Sequence, residues 1–202
     1  ESVVDSPNVM PMVDVNSMTV QTPITILQTL SAIEYAATDP NIKGICIYQN
    51  GLGIISATNI EELRQALLRF KQSGKFVVAY DDNFTQSEYY LASVADRVSM
   101  HPEGSIEWRG MSCVTVFIKG LLDKLDVSVE IFRPTVCKYK SAVEPFFLTQ
   151  MSEANREQLE SLAEDMWTTI CEDVAAQRNI ETAKLKSLAA NLSVNTPEEA
   201  KK

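Results

Sequence analysis

Lys43-Gly44-Ile45-Cys46-Ile47-Tyr48 is a short apolar run without polar alternation, the composition of a strand buried in a parallel sheet. A second run of the same kind, residues 76–80 (FVVAY), follows once a segment of helical period has intervened. In that intervening segment Thr58 and Glu61 have the spacing of a capping box ahead of Leu63, Leu67 and Phe70, and Gly74 supplies a C-terminal stop. Upstream, Ile26, Leu30, Ile33 and Ala37 recur at helical spacing until Asp39-Pro40 ends the pattern. Downstream, the reading is a short helix over 86–95, a strand at 97–100, a turn around Pro102-Glu103-Gly104, a helix over 115–125 and a strand at 127–132. Ser152 then caps a long helix reaching about Arg178, with Leu159, Leu162, Met166, Ile170 and Val174 on one face. Strands alternating with helices predict an α/β fold: a mainly parallel sheet covered by helices on both sides. Residues 1–23 read as an irregular N-terminal segment and residues 24–202 as a single domain.

The totals narrow the function. A length of 202 residues and 45% hydrophobic content fit a globular chain with a substantial core. A net charge of −9 argues against a nucleic-acid surface and leaves no basic stripe for anionic lipid. No apolar run approaches the roughly 20 residues of a membrane helix, so the chain is expected to be soluble, without a transmembrane segment. Cys46, Cys113, Cys137 and Cys171 lie far apart with no CxxC pair, which points away from a disulfide framework and from zinc. No metal or cofactor is expected.

The single histidine, His101 beside Pro102, lacks any partner signature, so a conventional histidine-based triad is not expected. A lysine can take the base's place if burial strips its charge, and residues 138–146 (KYKSAVEPF) offer one on the loop leaving the expected 127–132 strand. Taken alone, Lys138 and Lys140 read first as solvated surface lysines, against which the apolar flanks Cys137, Ala142, Val143 and Pro145-Phe146-Phe147 suggest partial burial. Gly51 and Gly53 make either an oxyanion-binding turn or a plain tight turn. Ser105, after Gly104, is the in-chain nucleophile candidate, although a serine in a turn more often has a conformational task. His101 reads as structural. The acidic residues of the long helix (Glu153, Glu157, Glu160, Glu164, Asp165, Glu172, Asp173) fit a solvated outer face.

Residues 138–146 closely resemble the catalytic-lysine motif of the signal peptide peptidase A (protease IV) family, peptidase family S49, in its long, duplicated form. The likeness extends to Gln86 with Tyr89–Asp96, to His101-Pro102-Glu103-Gly104 through Arg109-Gly110, to Leu121–Leu125, to Ser73-Gly74-Lys75 and to 41–45, covering about residues 24–178. It implies a ClpP/crotonase-like spiral of ββα units. It also implies a membrane-associated serine endopeptidase that degrades remnant signal peptides through a Ser/Lys dyad. Lys140 matches the general base. The nucleophile belongs to a second, serine-bearing domain of the same polypeptide, so the chain is expected to be a first half, inactive alone. Ser141, the next residue, is a further candidate on the substrate and oxyanion side, able to hydrogen-bond the lysine and orient it. The implied partners are that C-terminal domain, hydrophobic signal-peptide substrates and further copies in a homo-oligomer. The implied location is the bacterial cell envelope, anchored in the inner membrane.

Two other readings compete. One is a self-sufficient peptidase with an in-chain Ser105/Lys140 dyad, and the other a non-catalytic scaffold or oligomerisation domain. An acyl-CoA enzyme of the crotonase type fits the fold, but neither the lysine motif nor the acidic composition favours it.

Overall fold

The computed structural model describes residues 24–48, 56–134 and 137–201, together with three short strands in the first 23 residues. These residues group into two compact units. One comprises Glu1–Arg109 with Asp173–Lys202, the other Gly110–Glu172.

The first unit opens with two small ladders. Strand β1 (Val3–Val4) runs parallel to β4 (Ile24–Thr25), and β2 (Met12–Asp14) pairs antiparallel with β3 (Thr19–Gln21). Short pairings therefore stand in a stretch whose composition reads as irregular. Helix α1 (Ile26–Thr38) starts at Thr25, whose hydroxyl accepts the Gln28 amide while the Gln28 side chain accepts the Thr25 amide. That reciprocal cap satisfies two amides the helix itself cannot.

The main sheet is parallel throughout, in the order β5 (Gly44–Tyr48), β6 (Phe76–Asp81), β7 (Arg97–Met100), with Cys46 opposite Val78 and Val78 opposite Arg97. Both opening strands thus form as read. Helix α2 (Ala57–Gln72) packs against β6, α1 and α3 (Gln86–Ala92). Its inward stripe of Ile60, Leu63, Leu67 and Phe70 meets the face of β6 that carries Val77 and Ala79, all of them buried. The opposite face departs from expectation: Cys46, Tyr48, Phe76 and Tyr80 are exposed, with the two tyrosine rings stacked at 6.1 Å. Among the described residues of the first unit, helix α2 packs on one face of this sheet and these side chains leave the other open. An unbroken apolar run marks a strand but does not say whether a layer lies over each face.

The cap of α2 also differs. Ser56, in extended conformation, accepts the Asn59 amide at 3.3 Å, so the helix begins before Thr58. Glu61 turns instead to Gln65, Arg64 and Tyr90. At the other end Gly74 adopts φ +82°, the left-handed turn that only glycine takes without strain. Lys75 Nζ then donates to the Ala36 and Asp39 carbonyls at 2.5 and 2.7 Å, closing the C-terminus of α1.

The second unit contains α4 (Lys119–Lys124), α5 (Glu144–Phe147) and the opening of α6 (Glu153–Arg178), a helix that continues into the first unit. Two expectations fail here. The helix expected over 115–125 shrinks to α4, because the β-branched residues before it gain nothing from helix: Val114 and Val116 are exposed. No strand forms at 127–132, where Val127, Val129 and Phe132 lie exposed. β propensity becomes a strand only where a neighbouring backbone completes the ladder, and among the described residues none pairs with this run. The motif lysines accordingly do not leave a strand.

Ser152 caps α6 as read, accepting the Asn155 amide at 3.2 Å. Of the stripe read from the sequence, Val174 is buried and Leu159 and Ile170 are half-buried, but Leu162 and Met166 are exposed, and Trp167 and Cys171 are buried instead. Two further helices complete the first unit: α7 (Thr182–Ala190), not anticipated, and α8 (Pro197–Ala200), begun by a Thr196/Glu199 capping box. All four cysteines are free thiols, and among the described residues no helix is long and apolar enough to cross a membrane.

Candidate functional site

Lys140, Ser141 and Ser105 fall in different surroundings, the first two in the second unit and Ser105 in the first. Gly51 and Gly53 lie outside the described residues.

Ser105 sits just past β7 in a segment fastened from several sides. Its carbonyl accepts the Phe84 amide at 2.8 Å, and Glu107 donates its amide to Phe84 at 2.8 Å. Ile106 and Trp108 are buried, and the Trp108 indole donates to the Leu185 carbonyl at 2.9 Å. Gly104 is required by close packing: a Cβ there would stand 1.9 Å from the Asp82 carbonyl oxygen. The Ser105 hydroxyl donates to Asn83 Oδ1 at 2.9 Å, and the same oxygen accepts the Ser105 amide. An amide oxygen is no proton acceptor for catalysis, so this bond folds the turn. His101 has a similar task, its Nδ1 accepting the Glu103 amide at 3.1 Å.

The lysine motif is built from two successive turns. The Lys140 amide donates to the Cys137 carbonyl at 3.2 Å, and the Glu144 amide to the Ser141 carbonyl at 2.9 Å. Arg133 adds a bond from its guanidinium to the Lys140 carbonyl at 3.2 Å and lies over the Phe147 ring. Lys138 and Lys140 are both exposed, but their surroundings differ. Lys138 Nζ lies 3.4 Å from the Glu157 carboxylate and 3.3 Å from the Tyr139 hydroxyl, which itself donates to Glu157. The Tyr139 hydroxyl first, and Glu157 with it, hold the Lys138 ammonium above the usual lysine range. A lysine kept charged cannot accept a proton. Lys140 Nζ has no hydrogen-bond or ion-pair partner among the described residues.

Sequence reasoning passed over Glu144, although it stands inside the motif. It is 1% exposed and accepts from the Ser152 amide, the Ser152 hydroxyl and the Asn155 side chain at 3.2, 2.6 and 3.3 Å. The signal was available: a glutamate among Ala142, Val143, Pro145 and Phe146 is buried charge and needs donors. Among the described residues no cluster of metal-ligating side chains occurs. A cavity of about 400 Å3 in the first unit, walled by Tyr89, Ile106, Trp108, Leu185 and Val194, contains none of the candidate site residues.

Comparison with known proteins places these features in a family. Peptidase family S49 matches over residues 69–202. "Protease 4" of Haemophilus influenzae is 35% identical over 172 residues, which cover 85% of this chain and 28% of that protein. "Serine protease SPPA, chloroplastic" of Arabidopsis thaliana is 29% identical over 140 residues, 69% of this chain and 20% of that protein. The chain thus spans less than a third of the length of these curated relatives. Among solved structures, an enoyl-CoA hydratase/isomerase family protein from Silicibacter pomeroyi covers 81% of this chain and 83% of its own at 14% identity. Its TM-score is 0.35, too loose a likeness to argue from. With the family matching well over half of its residues, the chain belongs to peptidase family S49.

Proposed function

We propose that this chain supplies the lysine general base of a serine peptidase whose nucleophilic serine lies outside residues 1–202. The observation that carries the reading is the contrast within the motif: Tyr139 and Glu157 hold Lys138 as a cation, whereas Lys140 Nζ meets no partner among the described residues and stands on a turn fixed by its own backbone bonds. The commitment of Ser105 to Asn83, and the serine protease named among the relatives, support the same division of labour.

The reaction is peptide-bond hydrolysis in two stages. A neutral lysine takes the serine proton as the serine oxygen adds to the scissile carbonyl. Collapse of the tetrahedral adduct breaks the C–N bond, and the leaving amine carries that proton away, leaving an acyl-enzyme. Water, deprotonated by the same lysine, then releases the acid and restores the serine. Bringing a lysine from its ordinary range to a pKa near 7–8 asks about 3–5 kcal/mol of its surroundings. Exposed Lys140 must therefore be covered by a further part of the longer enzyme, its serine-bearing domain. The substrates are hydrophobic remnant signal peptides, bound extended along a strand edge by an envelope enzyme anchored in the inner membrane and assembled from several copies.

In the full-length protein, Lys140→Ala is expected to lower kcat about a thousandfold with the melting temperature unchanged, measured on a quenched apolar peptide. Retained turnover would remove the lysine from the mechanism.

A further inference from the structure

We infer that Glu144 is a positioning residue for Lys140, its buried carboxylate clamping the lysine-bearing turn to the first turn of α6. The inference rests on the reading of Lys140 as general base.

A carboxylate that is 1% exposed is costly unless its oxygens are supplied with donors. Here one oxygen takes the Ser152 hydroxyl at 2.6 Å, while the other takes the Ser152 amide at 3.2 Å and the buried Asn155 side chain at 3.3 Å. All three donors belong to the start of a 26-residue helix, whose N-terminal end itself favours negative charge. The same residue joins the lysine turn through its backbone: its amide donates to Ser141 and its carbonyl accepts from Leu148 at 2.8 Å. The adjoining Pro145 carbonyl takes the Ile118 amide at 2.9 Å, so a second backbone connection holds the segment. Ser141 follows Lys140 directly, and the Lys140 amide closes the preceding turn on Cys137. A rigid path therefore runs from α6 through the Glu144 side chain to the lysine backbone. Exposed as it is, Lys140 draws no positional restraint from packing around its own side chain, and the turn must provide it.

Steady-state kinetics of the full-length protein test this. Glu144→Leu keeps the bulk and removes both acceptor oxygens. Displacing a proton-transfer group by about 1 Å costs about a hundredfold, so kcat is expected to fall by that factor with KM near wild type. Glu144→Gln keeps the carbonyl oxygen that serves Ser152 and Asn155, and the Ser152 hydroxyl can rotate to accept from the new amide. This variant is expected to restore kcat to within a few fold of wild type. Trp167→Leu, a buried substitution elsewhere in the second unit, serves as the stability control and is expected to lower the melting temperature without lowering kcat. Wild-type kcat in Glu144→Leu overturns the inference, as does an equal loss of kcat in Trp167→Leu at matched loss of melting temperature. If Glu144→Leu does not fold, the double variant Ser152→Ala/Asn155→Ala is read the same way, and unchanged kcat again overturns it. Full activity in Lys140→Ala would instead defeat the general-base reading on which the inference stands.

Discussion

Asp96 joins two elements of the first unit with one carboxylate, accepting the Val77 amide at 2.8 Å and pairing with Lys71 at 2.9 Å. The Val77 amide first, with Lys71, holds its carboxyl below the usual 3.8. A depressed folded-state pKa stabilises the fold above the ordinary carboxylate range, and that contribution is lost as the pH falls through the folded value. The carboxylate is partly open to water, so the contribution amounts to about 1 kcal/mol. The urea midpoint is expected to hold from neutrality to about pH 5 and drop below about pH 4. Asp96→Asn should lower the neutral midpoint and flatten that acid limb; an unchanged acid limb would show that the carboxylate does not contribute. Arg64 shows how far charge can be buried when most of the guanidinium is provided for, its Nε being left without a hydrogen bond among the described residues. It is 1% exposed, donates to the Tyr90 carbonyl and at 2.7 Å to the Ser93 hydroxyl, and lies 3.9 Å above the Tyr90 ring. Neither contact set can be read from the sequence, because partners 19 or more residues apart are joined only by the parallel crossover.

Among the elements, those fixed by local chemistry were legible and those needing a distant partner were not. Strands β5 and β6, helix α1 with its end at Asp39, and the Ser152 cap of α6 follow from runs, periods and caps within a few residues. Residues 127–132 have the β-branched content of a strand, but pairing is a property of two segments, and the described residues offer no second one. Helix α6 fails more subtly: Leu162 and Met166 lie one position before Ala163 and Trp167, and a shift of one residue turns a helix face by about 100°. Both stripes are apolar, so the pattern alone does not choose between them. The bulk of Trp167 decides, burying more area than the leucine and methionine exposed beside it. Trp167→Ala is therefore expected to cost about 3–5 kcal/mol, and Leu162→Ala less than about 0.5 kcal/mol, in chemical denaturation. Equal costs would restore the stripe suggested by the sequence.

At the scale of the whole molecule, the α/β class with a parallel sheet and packed helices is what the chain adopts, and its family is shown by the match over residues 69–202. The lysine motif is the part of the candidate site that the sequence offers, because its residues are contiguous. Glu144 was hidden by that same continuity, since its meaning lies in Ser152 and Asn155, which follow after an intervening loop. Exposure of Lys140 and the commitment of Ser105 to Asn83 frame the central claim, that base and nucleophile come from different parts of a longer polypeptide. Fluorophosphonate labelling, read by intact mass and peptide mapping on this chain and on the full-length protein, tests it most directly. The expected result is no adduct on residues 1–202 and one adduct on a serine elsewhere in the full-length protein, lost in Lys140→Ala. An adduct on Ser105 of this chain alone, lost in Lys140→Ala, would contradict the claim and make the chain a complete peptidase.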